Sequence, residues 1–271
     1  MKSASEFENL LGRERETRRL KSAMLERQSR LICGPADSGK TSLIKKAIAE
    51  LPESERCRCL YWSGLATRRQ LAAHLVSQLY AAGNSFIREK VEADGAGAEA
   101  FDQWLNDQSS LRLRGLLFTA AERSNYFFFL DHLHSVTPAV VRLLKDIIYR
   151  TKTPVYLTSR GCTLAELGAA WSLYSTSELR IELGPLAPRR ARQLLETCIR
   201  RNRLYRFDLE GFREEVLRLS GCIPGGVVKM CELAANPRYH YGDRVKVKLV
   251  HVDFLMQFDH EKSAIAPGRA V

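Results

Sequence analysis

The chain has 271 residues, 45% hydrophobic and 27% charged, which suits one large globular domain or a large domain with a smaller companion. No apolar run approaches membrane-spanning length, and no fixed-period repeat or long low-complexity tract is present, so spanning helices, solenoids and disordered polymers are set aside. A net charge of +11 and a pI near 9.5 favour acidic partners, nucleic acid being the simplest.

In chain order, Arg30–Cys33 predicts a buried strand and Thr41–Glu50 a helix with Leu43, Ile44 and Ala47 on one face. Arg58–Trp62 predicts a second strand. Thr67–Leu79 predicts a helix in which Leu71, Leu75 and Leu79 stack at four-residue spacing, with His74 a surface residue beside the stripe. A loop is expected around Asp94–Gly97 and a helix from Leu111 to Arg123. Tyr126–Leu130 reads as a strand buried on both faces that emerges at Asp131. Pro138–Arg150 predicts a helix, Pro154–Arg160 a fourth strand that turns polar at its end, and Glu178–Leu183 a fifth strand at an edge. From Gly184 onward the pattern is helical over Arg189–Arg201, Leu209–Ser220 and Gly226–Ala235. Alternation at Arg244–Leu249 predicts a strand, followed by a short helix over Val252–Phe258.

Strands alternating with helices imply an α/β fold with a five-stranded parallel sheet sandwiched by helices. The expected organisation is a core over 1–184, a small helical lid over 185–260 and a disordered tail over 261–271. Seven cysteines, at 33, 57, 59, 162, 198, 222 and 231, form no C-x-x-C pair and are read as reduced thiols. Cys57 and Cys59 would share one face of a strand, too few ligands for zinc. The polar N-terminus lacks the apolar segment of a secretory signal, so a cytoplasmic location and no membrane partner are expected.

One segment matches a phosphate-binding pattern in full. Gly34-Pro35-Ala36-Asp37-Ser38-Gly39-Lys40-Thr41 fits G-x-x-x-x-G-K-[ST] and lies between the first strand and its helix. Glycines there let backbone N–H groups face phosphate oxygens, the helix N-terminus adds partial positive charge, and Lys40 reaches the outer phosphates. Thr41 would ligate Mg²⁺, and the loop continues into Ser42. Ligands of parallel sheets bind at the carboxyl ends of the strands, where Gly34, Asp131 and Ser159 all fall.

With these residues in hand, the chain resembles the AAA+ P-loop ATPases, particularly the branch of origin-recognition-like, transposition-type and STAND signalling ATPases. The resemblance covers nearly the whole chain. Gly12, Arg13 and Glu14 look like the family's N-terminal segment near the adenine ring, Gly34–Thr41 like Walker A, and Phe127–Asp131 like the Walker B strand. Leu157–Arg160 resembles the sensor strand, with Ser159 and Arg160 toward the outer phosphate, and Pro224 in the lid would approach the base. The resemblance implies ATP and Mg²⁺ as ligands, with Asp131 joining Thr41 as a metal residue, and assembly of several copies.

The family's carboxylate after the Walker B aspartate is replaced by His132, which should slow hydrolysis without preventing binding. His132 either serves as the base or only packs at the strand end. A metal pair with His134 is the weaker reading. Arg150 is a candidate arginine finger or a helix-terminal cation, and Lys229 a candidate second sensor or a solvated lysine. The basic cluster Arg189, Arg190, Arg192, Arg200, Arg201, Arg203 and Arg206, with Tyr205 and Phe207 for stacking, would either track double-stranded DNA or be a solvated face. Three functions compete: an ATP-driven conformational switch with slow or partner-stimulated hydrolysis, a non-hydrolysing nucleotide-gated adaptor or DNA-binding module, and a small-molecule kinase. The protein partner is not specified by the sequence.

Overall fold

The computed structural model describes residues 11–64, 67–132 and 136–265, with side chains through Met256. The chain forms two compact units. One comprises Arg15–Ala36 and Leu43–Leu183; the other comprises Asp37–Ser42 and Gly184 onward, with the described residues before Arg15.

The first unit is built on α1 (Glu14–Leu25), β1 (Arg30–Cys33), α2 (Lys40–Ala49), α3 (Glu53–Arg56), β2 (Cys59–Ser63), α4 (Arg68–Ala81), α5 (Ser85–Ala93), α6 (Phe101–Asp107), α7 (Ser110–Arg123), β3 (Phe127–Asp131), α8 (Pro138–Lys145), β4 (Val155–Ser159), α9 (Leu164–Leu167) and β5 (Arg180–Glu182). The sheet is parallel throughout, in the order β2-β3-β4-β1-β5. Parallel neighbours need crossovers, and helices supply them. All five residues of β3 and of β4 are buried, which explains their apolar runs, whereas the edge strands β2 and β5 are only partly covered. Phe129 and Tyr156 stack at 4.8 Å between adjacent strands, and the buried hydroxyls of Tyr156 and Tyr174 donate to the carbonyls of Ala23 and Val155.

Local chemistry sets the helix ends. Thr67 and Gln70 form a capping box at the start of α4, and Asn84 caps α5. The apolar stripe of α4 is buried as its spacing predicts: Leu75 and Leu79 are fully covered. His74 differs from its expected surface position. It is half-buried, its ring 6.2 Å from that of Trp62 and its Nε2 2.9 Å from Gln78 Nε2, and burial pushes its pKa down. The helix over Pro138–Arg150 ends in a π-helical turn at Asp146–Arg150.

In the second unit, α10 (Pro188–Arg201), α11 (Phe212–Leu219) and α12 (Pro224–Ala234) enclose a separate apolar cluster that includes Leu194, Leu195, Val216 and Met230. Proline opens both α10 and α12, where its missing N–H would be unpaired anyway. Strands β6 (His240–Tyr241) and β7 (Arg244–Val245) pair antiparallel around Gly242, whose φ is 60°. The strand expected over Arg244–Leu249 stops after two residues, and α13 (Val247–Ile265) takes over. Val250 and Phe254 explain this: four residues apart on a helix they share a face, and both enter the cluster. The same helix carries residues 261–265, while 266–271 lie outside the described residues. No helix among the described residues is long and apolar enough to cross a membrane.

Two cysteine expectations are corrected. Cys57 precedes β2 instead of alternating along it, and Cys59 alone of the two lies in the strand, its thiol pushed up to about 12 chiefly by burial. Cys33 and Cys162 form a disulfide, because β1 and β4 pair with Cys33 opposite Ser159 and the chain turns back within three residues.

Leu75→Ala removes a fully buried side chain from α4. It should lower unfolding stability by about 2–5 kcal/mol, read as a reduced urea midpoint with unchanged slope.

Candidate functional site

The carboxyl edge of the sheet is organised by Asp131. It is fully buried at the end of β3, opposite Ser63 of β2. A carboxylate without solvent requires donors, and among the described residues three supply them. The hydroxyls of Thr158 and Tyr61 donate to Oδ1 and Oδ2, and the His132 backbone N–H donates to Oδ1 at 3.0 Å. The same N–H lies 2.9 Å from Thr158 Oγ1. His132 itself has φ 59°, a left-handed conformation that is uncommon outside glycine. Its Nε2 is 3.6 Å from Asp131 Oδ2, and its side chain is 61% exposed.

Of the polar groups ending β4, Thr158 therefore meets Asp131. The Ser159 hydroxyl donates to the Gly161 carbonyl, and the Ser159 carbonyl accepts from the Gly34 N–H at 3.3 Å, extending the β1–β4 ladder into the loop. Arg160 is exposed just beyond. Tyr61 was not anticipated. Its only sequence signal is that it shares a strand face with Ser63, two residues on, and the β2–β3 register is what turns this into contact with Asp131.

The phosphate-type loop follows β1 directly. Gly39 has φ 94° and Asp37 φ 59°, so the chain bends sharply before Lys40 opens α2. Ser38 is fully buried and Lys40 is 7% exposed; Ser38 Oγ has no hydrogen-bond partner among the described residues. Gly34, Ala36, Thr41 and Ser42 are half-buried and Pro35 is exposed.

Asp37 and Ser38 are held within the second unit. The Gly225 N–H, one residue into α12, donates to the Asp37 carbonyl at 2.9 Å, and Lys229 Nζ lies 3.1 Å from Asp37 Oδ2. Arg13, 3% exposed, donates through Nη2 to the carbonyls of Ser38, at 3.4 Å, and Gly184. Gly12, with φ 82°, packs where a Cβ would come within 3.0 Å of the Arg190 side chain. Pro224 is buried at the first turn of α12. The pairing of Asp37 with Lys229 was not readable from sequence, because 192 positions separate two ordinary charged residues.

Other expected roles are placed as follows. Arg150 is 3.5 Å from Glu122 and lies over the Phe118 ring at 5.4 Å. His134 falls outside the described residues. Phe207 packs against the His240 ring at 4.2 Å, so its face is not open for stacking, whereas Tyr205 is 66% exposed.

A parallel sheet with a glycine-bent loop between its first strand and the following helix, and a buried aspartate at the carboxyl edge, defines the class of P-loop nucleoside triphosphatases. The sequence model of the AAA ATPase domain matches residues 9–158, more than half of the chain, and the chain belongs to that family. Solved structures agree in fold. A Walker-type ATPase of Pyrococcus abyssi superposes with a TM-score of 0.59 at 16% identity, covering 94% of this chain and 75% of that one. The ORC1 protein of Aeropyrum pernix, in complex with DNA, gives 0.55 at 15% identity over 89% of this chain and 65% of its own. A Signal Transduction ATPase with Numerous Domains (STAND) protein with a tetratricopeptide repeat sensor, from Pyrococcus horikoshii, gives 0.50 at 17% over 90% of this chain but 32% of its own. The chain thus spans about a third of the STAND protein and slightly under two thirds of the ORC1 protein. No curated protein matches the chain in sequence.

Gly225→Ala would place a methyl group 2.5 Å from Asp37 Cβ and 3.0 Å from its carbonyl oxygen. The backbone must shift to admit it, so a loss of about 1–3 kcal/mol in unfolding stability is expected from urea titration.

Proposed function

We propose that this chain is an ATP-binding, AAA+-type ATPase that acts as a nucleotide-dependent conformational switch and hydrolyses Mg-ATP slowly or on stimulation by a partner. The observation that carries this reading is the loop Gly34–Thr41. It leaves a parallel strand, bends at Gly39 and delivers Lys40 as the first residue of a ten-residue helix. Backbone N–H groups at a helix start favour anionic oxygens, and Lys40 adds a full charge for the outer phosphates. The buried, unpartnered Ser38 Oγ is a donor for which a phosphate oxygen is a fitting acceptor.

Thr41 and Asp131 carry oxygen donors of the kind Mg²⁺ takes, and the cation when bound would neutralise charge on the phosphates. Ser159 and Arg160 are assigned to sensing the outer phosphate, and Gly12, Arg13 and Pro224 to the neighbourhood of the base. The second unit from Gly184 is assigned as the lid. His132 in place of a carboxylate makes hydrolysis slow, and the switch works with further copies of the chain or with a partner. A kinase needs neither the Gly12-Arg13 segment nor the polar end of β4, and that reading is set aside.

The non-hydrolysing DNA-binding alternative has one observation in its favour. Arg189, Arg192 and Arg200 are exposed and line an open groove of about 750 Å³ on α10. Their spacing puts them on one stripe about 16 Å long. Glu196, the acidic residue of that stripe, is engaged by Arg213 at 2.6 Å, so the stripe's positive charge is uncompensated from within. Arg190 points elsewhere, 3.7 Å from Glu14.

The deciding measurement is phosphate release from Mg-ATP by the full chain, alone and with double-stranded DNA. Lys40→Ala should weaken triphosphate binding by about 10- to 100-fold, as expected for losing a charge-assisted contact; tight binding by this variant overturns the assignment. His132→Glu should raise turnover; an unchanged or lower rate would point to His132 as a working group or to a site limited by assembly, and either overturns the missing carboxylate as the cause of slow hydrolysis. If DNA binds the stripe, replacing all three arginines by alanine should reduce the dependence of log affinity on log salt by about one per arginine. An unchanged slope returns the stripe to ordinary solvated surface.

A further inference from the structure

We propose that Cys33 and Cys162 form a reversible thiol–disulfide switch that fastens or releases the Arg160–Thr163 turn and so gates turnover. Cys33 is the last residue of β1, immediately before Gly34, and is 1% exposed. Cys162 lies two residues after Arg160 and is partly exposed. Their Cα atoms are 5.9 Å apart, within ordinary disulfide range.

The bond is not needed to pair the strands. The β1–β4 ladder already runs from Arg30–Tyr156 to Cys33–Ser159 and continues through Gly34 N–H to Ser159. Its distinct effect falls beyond Ser159, on the turn that carries Arg160. The described hydrogen bonds left to that turn on reduction are local: Ser159 Oγ to the Gly161 carbonyl, and, at the start of α9, the Glu166 N–H to Thr163 Oγ1 at 3.4 Å and the Leu167 N–H to the Thr163 carbonyl at 3.0 Å.

The exposure of the two sulfurs also sets the chemistry. A small thiolate such as glutathione attacks Cys162 Sγ, the accessible sulfur, and the Cys162–Cys33 bond breaks with Cys33 leaving as thiolate and taking a proton. A second glutathione thiolate then attacks the glutathione sulfur of that mixed disulfide; the bond to Cys162 breaks, Cys162 leaves as thiolate and takes a proton, and one glutathione disulfide and two protein thiols result; glutathione disulfide drives the reverse. Glu182 Oε1 stands 3.6 Å from Cys162 Sγ. Its negative charge repels an anionic attacker and disfavours a Cys162 thiolate, so it slows exchange in both directions.

The gating half rests on the nucleotide-site reading; the thiol half does not. The full chain is equilibrated in glutathione and glutathione disulfide mixtures and alkylated, and the Cys33–Cys162 linked peptide is quantified by mass spectrometry. Hydrogen exchange over 159–163 and phosphate release from Mg-ATP are measured in both states. The disulfide should form and open reversibly, with faster exchange over 159–163 and several-fold higher turnover after reduction. Cys162→Ser should match the reduced protein under all conditions, and being partly exposed it avoids the packing change expected at Cys33. Glu182→Gln should open about five-fold faster with glutathione, the effect of one nearby charge in a mostly aqueous setting. No disulfide at any glutathione ratio, or unchanged exchange on reduction, overturns the switch. Equal turnover in both states of an active protein overturns the gating. Redox-dependent exchange in a protein that fails to bind ATP overturns the nucleotide reading and leaves the thiol switch standing.

Discussion

The position of β4 between β1 and β3 is the constraint on which the sheet edge depends. Hydrogen bonding in a parallel sheet fixes register, and here it sets Cys33 against Ser159 and Leu130 against Leu157. The phosphate-type loop, the polar end of β4 and the aspartate of β3 therefore begin on three consecutive strands. The Gly34 to Ser159 bond carries the ladder one step past the strand end, so the first residue of the loop is placed by the sheet itself. Moving β4 to an edge would separate Thr158 from Asp131 and leave a buried carboxylate short of a donor, which costs several kcal/mol in a low-dielectric interior.

Asp131 shows how that edge tolerates a charge. Among the described residues, two hydroxyls and one backbone N–H converge on it from β2, β4 and the residue just past the end of β3. The arrangement gives both oxygens of a buried carboxyl group hydrogen-bond partners, so its burial is not left uncompensated. His132 pays for its part in this with a left-handed backbone, an unusual conformation outside glycine. The imidazole is mostly exposed, its Nε2 3.6 Å from the carboxylate it follows.

Much of this was legible from sequence. The apolar run ending in Asp131 required a strand buried on both faces, and the glycines around Asp37 and Ser38 required a turn before Lys40. The edge strands were harder, since β5 keeps three residues where six alternate; the first two form a 3-10 turn. The C-terminal helix was misread for a similar reason. Basic and apolar residues alternate over Arg244–Leu249 with a period of two, but Val250 and Phe254 belong to a helical period that extends past the window.

Local pattern determined which segments are strands, where the chain must bend, and that a lysine opens a helix after a glycine-rich turn, because propensity, periodicity and backbone sterics act over a few residues. Only the tertiary structure decided which side chains meet. Tyr61 reaches Asp131, Lys229 reaches Asp37 and Cys33 reaches Cys162 across 70, 192 and 129 positions. Those pairings follow from strand order and from how the C-terminal helices pack, both set by long-range burial of apolar surface that no local pattern encodes.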